Sequence, residues 1–229
     1  MPEIVLAVCA HADDEAFGIA GALARHSAGG DQVHLLFLAD GVTARDRVHD
    51  FQARRPEIEA RKRMAATAAG ILRANPPLFL DLPDNRLDAL PLLDIIKPIE
   101  VVIERIRPTI VYTNHANDLN VDHRLAHQAL LTACRPQPDH PVRAIYAFET
   151  LSSTEWEPAG LGRSFQPTRF VDIMGHTDTK LAVIRAYELE MRSFPHPRSP
   201  EAVEALWKLR GSQVGVAAAE ALVVVREKA

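Results

Sequence analysis

The chain has 229 residues, 47% of them hydrophobic and 24% charged, with a formal charge of −4 at neutral pH. Such a composition predicts one globular domain spanning residues 1–229 with a substantial core, and it offers no basic stripe for nucleic acid. The apolar runs are strand-sized, so no transmembrane segment is expected, and Cys9 and Cys134 in apolar contexts read as small buried hydrophobes. A strand beginning at residue 3 or 4 argues against a signal peptide, and a reduced, cytoplasmic compartment fits the whole.

In chain order, the first apolar run, residues 4–10, reads as a buried strand, and 16–28 as a helix closed by Gly29-Gly30. Strand 32–38 follows, then helix 56–71 with Gly70 near its end, strand 77–80, helix 90–106 with Pro108 behind it, strand 109–112, helix 121–133 and strand 143–148. Strands alternating with helices predict an α/β fold, with a mostly parallel sheet and helices on both faces. After Phe148 the pattern breaks. Residues 150–169, rich in Ser, Glu, Pro and Gly and carrying Trp156, read as an excursion, and 150–200 as a loop-rich region beside the site. Within it, 170–173 is a further strand and 177–192 a helix. Ser199-Pro200-Glu201 starts a last helix that ends at Gly211, with Ser as cap and Pro at its first position.

The most informative residues are His11-Ala12-Asp13-Asp14-Glu15, where the first strand stops. The carboxyl end of the first strand is where α/β folds bind ligands. His11 and Asp14, three apart in a turn, can converge on one cation while Asp13 faces its edge as a base; zinc suits such mixed nitrogen and oxygen donors. Carboxylates also favour the amino end of a helix through its dipole. For Glu15 that is the preferred reading; for His11 with Asp14 the cluster is too polar for it. The second constellation, His115-Ala116-Asn117-Asp118-Leu119-Asn120-Val121-Asp122-His123, follows strand 109–112. Asn120 reads as the cap of the next helix, which puts Asp122 and His123 in its first turn. His123 is then a candidate third ligand, with Asp122 holding or orienting a nearby group. Capping by Asn120 and dipole compensation by Asp122 stand beside that reading. His127, one turn further on the same face, is a rival ligand set aside as a packed helix histidine.

The first cluster resembles the His-Pro-Asp-Asp-Glu signature of the PIG-L/LmbE-like zinc-dependent deacetylases, and Asn117 to His123 resembles that family's second signature, which ends in Asp-His. The similarity runs on through Leu82-Pro83-Asp84-Asn85-Arg86-Leu87, Ser152-Ser153-Thr154-Glu155-Trp156 and Pro195-His196-Pro197-Arg198-Ser199. It implies a Rossmann-like three-layer sandwich and removal of an N-acetyl group from a glucosamine-containing substrate. By position, His11, Asp14 and His123 would hold one Zn2+ per chain, Asp13 would be the general base, and Asp122 would support the catalytic histidine. Two departures stand out. Ala12 replaces the usual Pro, and Asn120 stands where much of the family has a His. An Asn amide can donate a hydrogen bond to an oxyanion but cannot deliver a proton, so either His115 takes that role or Asp13 both removes and returns the proton.

Candidate substrate contacts are Arg54 and Arg55, which open the second helix, Asp84 and Asn85 after the third strand, and His196 between two prolines. A surface ion pair with Glu57 and Glu59 accounts for the arginines equally well, and a turn for Asp84-Asn85. The expected partner is a small amino-sugar substrate, and a homo-oligomer is left open because related proteins often assemble. Hydrolysis of another amide by the same zinc site, or a sugar- or nucleotide-binding protein of the same fold, remain alternatives. Against a dinucleotide, the first strand-to-helix turn has carboxylates and no glycine fingerprint.

Overall fold

The computed structural model describes residues 2–47, 50–158 and 164–228. Its strands are β1 (Ile4–Cys9), β2 (Gln32–Ala39), β3 (Leu78–Leu82), β4 (Ile110–Asn114), β5 (Ala144–Phe148), β6 (Arg169–Asp172) and β7 (Ala219–Glu227). Its α-helices are α1 (Asp14–Ala28), α2 (Arg55–Leu72), α3 (Leu92–Ile106), α4 (Val121–Ala133), α5 (Thr177–Ala186) and α6 (Pro200–Ser212). The strands form one sheet in the order β3-β2-β1-β4-β5-β7-β6. The first five run parallel; β7 lies antiparallel between β5 and β6.

β1 is central, paired with β2 on one side and β4 on the other. Its unbroken apolar run is what burial on both faces requires. Because side chains alternate along a strand, Val5, Ala7 and Cys9 join the core against α1, α2, α5 and α6. Leu6, Val8 and Ala10 join the opposite core, against Ile95, Ile99 and Ile103 of α3 and Leu130 of α4. The chain leaves β1 toward β2 and β3, then crosses to β4, so a crevice opens at the carboxyl ends of β1 and β4. Both sequence constellations lie there.

Two elements depart from the sequence reading. β7 was not expected, because its Leu222–Val225 run lies beyond the last helix in a stretch without turn signals; it covers the open edge of β5. α5 stops at Ala186 and passes into a 3₁₀ turn, Glu188–Glu190, rather than continuing to 192. α2 keeps to the expected span within one residue at each end and closes on Arg73 in the left-handed region.

α1 is broken at Ile19, whose φ of −137° is not helical. The amides that the break frees, those of Gly21 and Ala22, donate to the Glu220 carboxylate of β7 at 2.9 and 2.7 Å. Lys180 of α5 balances that buried charge at 2.6 Å and donates to the Phe17 carbonyl. A Cβ on Gly18 would fall 2.4 Å from the Phe148 ring, so glycine is what lets α1 press against the end of β5. No helix among the described residues is long and apolar enough to cross a membrane.

Candidate active site

His11 leaves the end of β1, Asp14 opens α1, and His123 sits in the first turn of α4. Together they offer ligand atoms within 4.8 Å of one another, all on buried residues. Asp14 is aimed by two bonds on one oxygen: its Oδ2 accepts the His11 amide at 2.9 Å and the Asn114 side-chain amide at 3.0 Å. That leaves Oδ1 facing His123 Nε2 at 3.2 Å. Asn114, the last residue of β4, also accepts the Ala10 amide through Oδ1, so it ties the two strand ends together.

Each histidine has a carboxylate on its far nitrogen. His123 Nδ1 lies 3.1 Å from Asp118 Oδ2, and Asp118 in turn accepts the hydroxyls of Ser153 and Thr154. His11 Nε2 lies 3.1 Å from Asp122 Oδ2 and 3.0 Å from Asp84 Oδ1. Asp122 is held by the backbone amides of Asn85 at 2.6 Å and Leu87 at 3.1 Å. The histidine that Asp122 supports is therefore His11. Carboxylate partners of this kind fix ring orientation and raise the basicity of a metal-binding imidazole. Burial disfavours a charged His123, but Asp14 and Asp118 outweigh it and raise the ring to about 9. His11 is raised in the same way: burial opposes its charge, and Asp122 and Asp84 override it. Burial also works against ionised Asp14, yet the two imidazoles hold its carboxyl below the ordinary range. Two imidazoles and a carboxylate, with outer partners on both imidazoles, fit a divalent metal of the zinc type.

Asp13 stands beside this triad in an unusual backbone state, φ 139° and ψ −21°. Such conformations cost on the order of 1–3 kcal/mol and persist where the surroundings impose them. Its Oδ2 accepts Arg61 Nη1 at 3.2 Å and Arg198 Nη1 at 3.1 Å. Burial nonetheless raises its carboxyl above the ordinary value, with the two arginines opposing. Both arginines are anchored on Glu190, at 2.5 and 2.9 Å. Glu15 corrects the dipole reading: it is fully buried, its Oε2 accepts the Asp13 amide at 3.1 Å and its Oε1 the Tyr187 hydroxyl at 2.5 Å. Burial pushes that carboxyl up to about 8.

A cavity of about 220 Å³ opens over these groups, lined by His11, Asp13, Asp84, Asn85, Asn120 and His123 from the anticipated set. Gly41, Ala44, Arg61, Ser152, Ser153, Glu190 and Arg198 complete its wall. Asn120 caps α4: its Oδ1 accepts the Asp122 amide at 2.8 Å, which leaves the side-chain NH2 as its donor. His115 does not line the cavity; it is buried edge-on against Phe165, ring centroids 5.1 Å apart. His127 is turned to the Asn114 carbonyl. His196 packs edge-on against Trp156 outside the cavity wall. Arg54 forks onto Asp46 at 2.6 and 2.8 Å and Arg55 is exposed, so the arginines at the cavity are Arg61 and Arg198 instead. One signal pointed to Arg61. It falls on the buried stripe of α2 with Ile58, Ala65 and Leu72, where a charge needs a partner.

The model of the GlcNAc-PI de-N-acetylase family, PIG-L, matches residues 6–134, more than half of the chain. The uncharacterized deacetylase YaiS of Escherichia coli (strain K12) is 28% identical over 190 residues, covering 80% of this chain and 90% of that protein. Among solved structures, N,N'-diacetylchitobiose deacetylase from Pyrococcus horikoshii aligns over 98% of this chain and 84% of its own, with 17% identity and a TM-score of 0.76. GalB, the 4-carboxy-2-hydroxymuconate hydratase of Pseudomonas putida KT2440, aligns over 99% and 98%, with 24% identity and a TM-score of 0.77. At these identities the two structures share the fold, and that fold serves more than one reaction.

Proposed function

Since this chain belongs to the PIG-L family of deacetylases, we propose that it is a zinc-dependent hydrolase that removes the N-acetyl group of an N-acetylglucosamine-type sugar or sugar conjugate. The observation that carries the reading is the convergence of His11, Asp14 and His123 within 4.8 Å, with the Asp13 carboxylate on the adjoining wall of the same cavity. A zinc ion held by those three residues would polarise the acetyl carbonyl and bring the pKa of water toward about 7. Asp13 takes a proton from the attacking water, its carboxylate kept at the cavity by Arg61 and Arg198. The Asn120 amide, oriented by its cap bond, supplies a donor to the oxygen that gains charge as the carbonyl carbon becomes tetrahedral. An amide cannot protonate the leaving nitrogen and His115 does not reach the cavity wall, so Asp13 returns the proton it took. The C–N bond breaks with its electrons on nitrogen, releasing the free amine and acetate.

The wall supports a polyhydroxylated ligand. Asp84, Asn85, Ser152 and Ser153 present hydroxyl-bonding groups, with little apolar lining between them. The test is an amine-release screen over N-acetylated sugars and their conjugates, with zinc and then other divalent ions added, alongside metal analysis of the purified protein. Turnover of one N-acetyl sugar with about one metal per chain is the expected result. A protein that purifies without metal and binds none on titration overturns the reading.

A further inference from the structure

Asp13 is the one residue between the strand end and α1 that holds a positive φ, and groups from the last third of the chain bear on it directly through Arg198 and indirectly through Tyr187 and Glu190. Its amide, buried with the rest of the residue, donates to Glu15 Oε2 at 3.1 Å. The other oxygen of that carboxyl accepts the Tyr187 hydroxyl at 2.5 Å. Glu15 and Tyr187 are both fully buried, and neither lines the cavity, so neither can touch a substrate. Tyr187 closes α5, and the turn that follows carries Glu190, the anchor of the two arginines on the Asp13 carboxylate. A single turn, 187–190, thus bears on Asp13 from behind through Glu15 and from the side through the arginines. It lies outside the 6–134 segment that the family model matches.

We infer that Glu15 and Tyr187 are a positioning pair whose task is to hold Asp13 in its positive-φ conformation, and so to keep its carboxylate turned to the cavity. The inference rests on the proposed role of Asp13 as base. The physical reason is local. Without an acceptor behind it, the Asp13 amide is a buried donor with no partner, and the residue relaxes toward negative φ. That swings the carboxylate away from the attacking water, and a displacement near 1 Å is enough to cost about a hundredfold in rate. His11, Asp14 and His123 are aimed by other bonds, to Asn114, Asp118 and Asp122, so metal binding does not depend on the pair.

The test compares Y187F, E15Q and E15L with the wild type in kcat, KM and metal content, and follows exchange of the Asp13 amide by NMR. E15Q keeps an acceptor for the Asp13 amide and can donate to the Tyr187 oxygen, so it retains most of the activity. Y187F loses about ten- to a hundredfold in kcat, and E15L more, with KM and metal per chain unchanged. Asp13 exchange quickens in Y187F and E15L. Wild-type kcat in Y187F, an E15Q that falls as far as E15L, or a kcat loss that tracks metal loss overturns the pair. Should the wild type turn over no N-acetyl substrate, the proposed function fails and the pair is read from exchange alone. Faster exchange in Y187F then upholds it, and unchanged exchange overturns it.

Discussion

The two walls of the cavity are built in different ways. On the wall proposed to hold the metal, His11, Asp14 and His123 and their supports Asn114, Asp118 and Asp122 come from two strand-to-helix junctions, at the ends of β1 and β4. The side chains there are aimed by groups at the carboxyl ends of the parallel strands, as when Asp14 is fixed by the His11 amide and by Asn114, and Asp122 by the Asn85 and Leu87 amides after β3. On the base wall, Asp13 is held by Arg61, Glu190 and Arg198, which lie 48 to 185 residues away from it in the chain or bind those that do. The metal wall follows from the topology of the sheet. The base wall depends on how the last third of the chain docks onto α1 and α2.

The sharpest way to break this comparison is to remove a ligand. His11→Ala, Asp14→Ala or His123→Ala is expected to take bound metal from about one per chain to near zero and to abolish activity. Metal analysis of the folded variant checks it, and a variant that keeps its metal breaks the assignment of that wall. Asp13→Asn should do the opposite: metal stays, while kcat falls on the order of 10²–10⁴ as the proton acceptor is lost. Loss of metal in that variant would show the walls to be one unit.

Asp122→Asn sharpens the metal wall from outside, with an expected fall of about 10–100-fold in metal affinity, read by competition with a chelator. The pH dependence of that affinity has a defined sign. His123 is raised to about 9 and His11 is raised as well, so protons compete with a metal, which binds the neutral imidazole. Apparent affinity should rise between about pH 6 and pH 9, with protons released on uptake. A flat profile would mean that the histidines are already neutral. The smallest effect is expected at Arg54→Ala. Its partners are Asp46 and Glu57 at the surface, so kcat/KM should stay within about twofold of wild type. A large rise in KM would extend the base wall to that face.

How much of this was legible follows the same division. Asp14 and His123 stand in contiguous strings of polar residues at predicted strand ends, and such strings can be read without knowing the partner. Asn120 was legible as a cap because a cap is a local bond, here to the amide two residues on. Asp118 lay inside the second string without an assigned role, and its role came from Ser153 and Thr154 closing on it. Arg54 and Arg55 drew attention as a pair near the right sheet edge, yet a surface fork with Asp46 accounts for Arg54. Arg198 lay in a stretch of family resemblance without an assigned role, and Glu190 and Tyr187 carry no local pattern at all, since an isolated polar residue in a turn has the same appearance whether solvated or clamped.

Resemblance to two family signatures pointed to His11, Asp14 and His123 as one set; the sequence by itself determined the parallel α/β order and the placing of both polar strings at strand ends. Those follow from hydrophobic periodicity and chain direction, which act over a few residues. Only the tertiary structure decided which arginines reach Asp13, that β7 enters the sheet between β5 and β6 and braces α1 through Glu220, and that Glu15 is a buried hydrogen-bond acceptor. Those are contacts between residues far apart in the chain. Their partners are chosen by docking geometry, which no local pattern records.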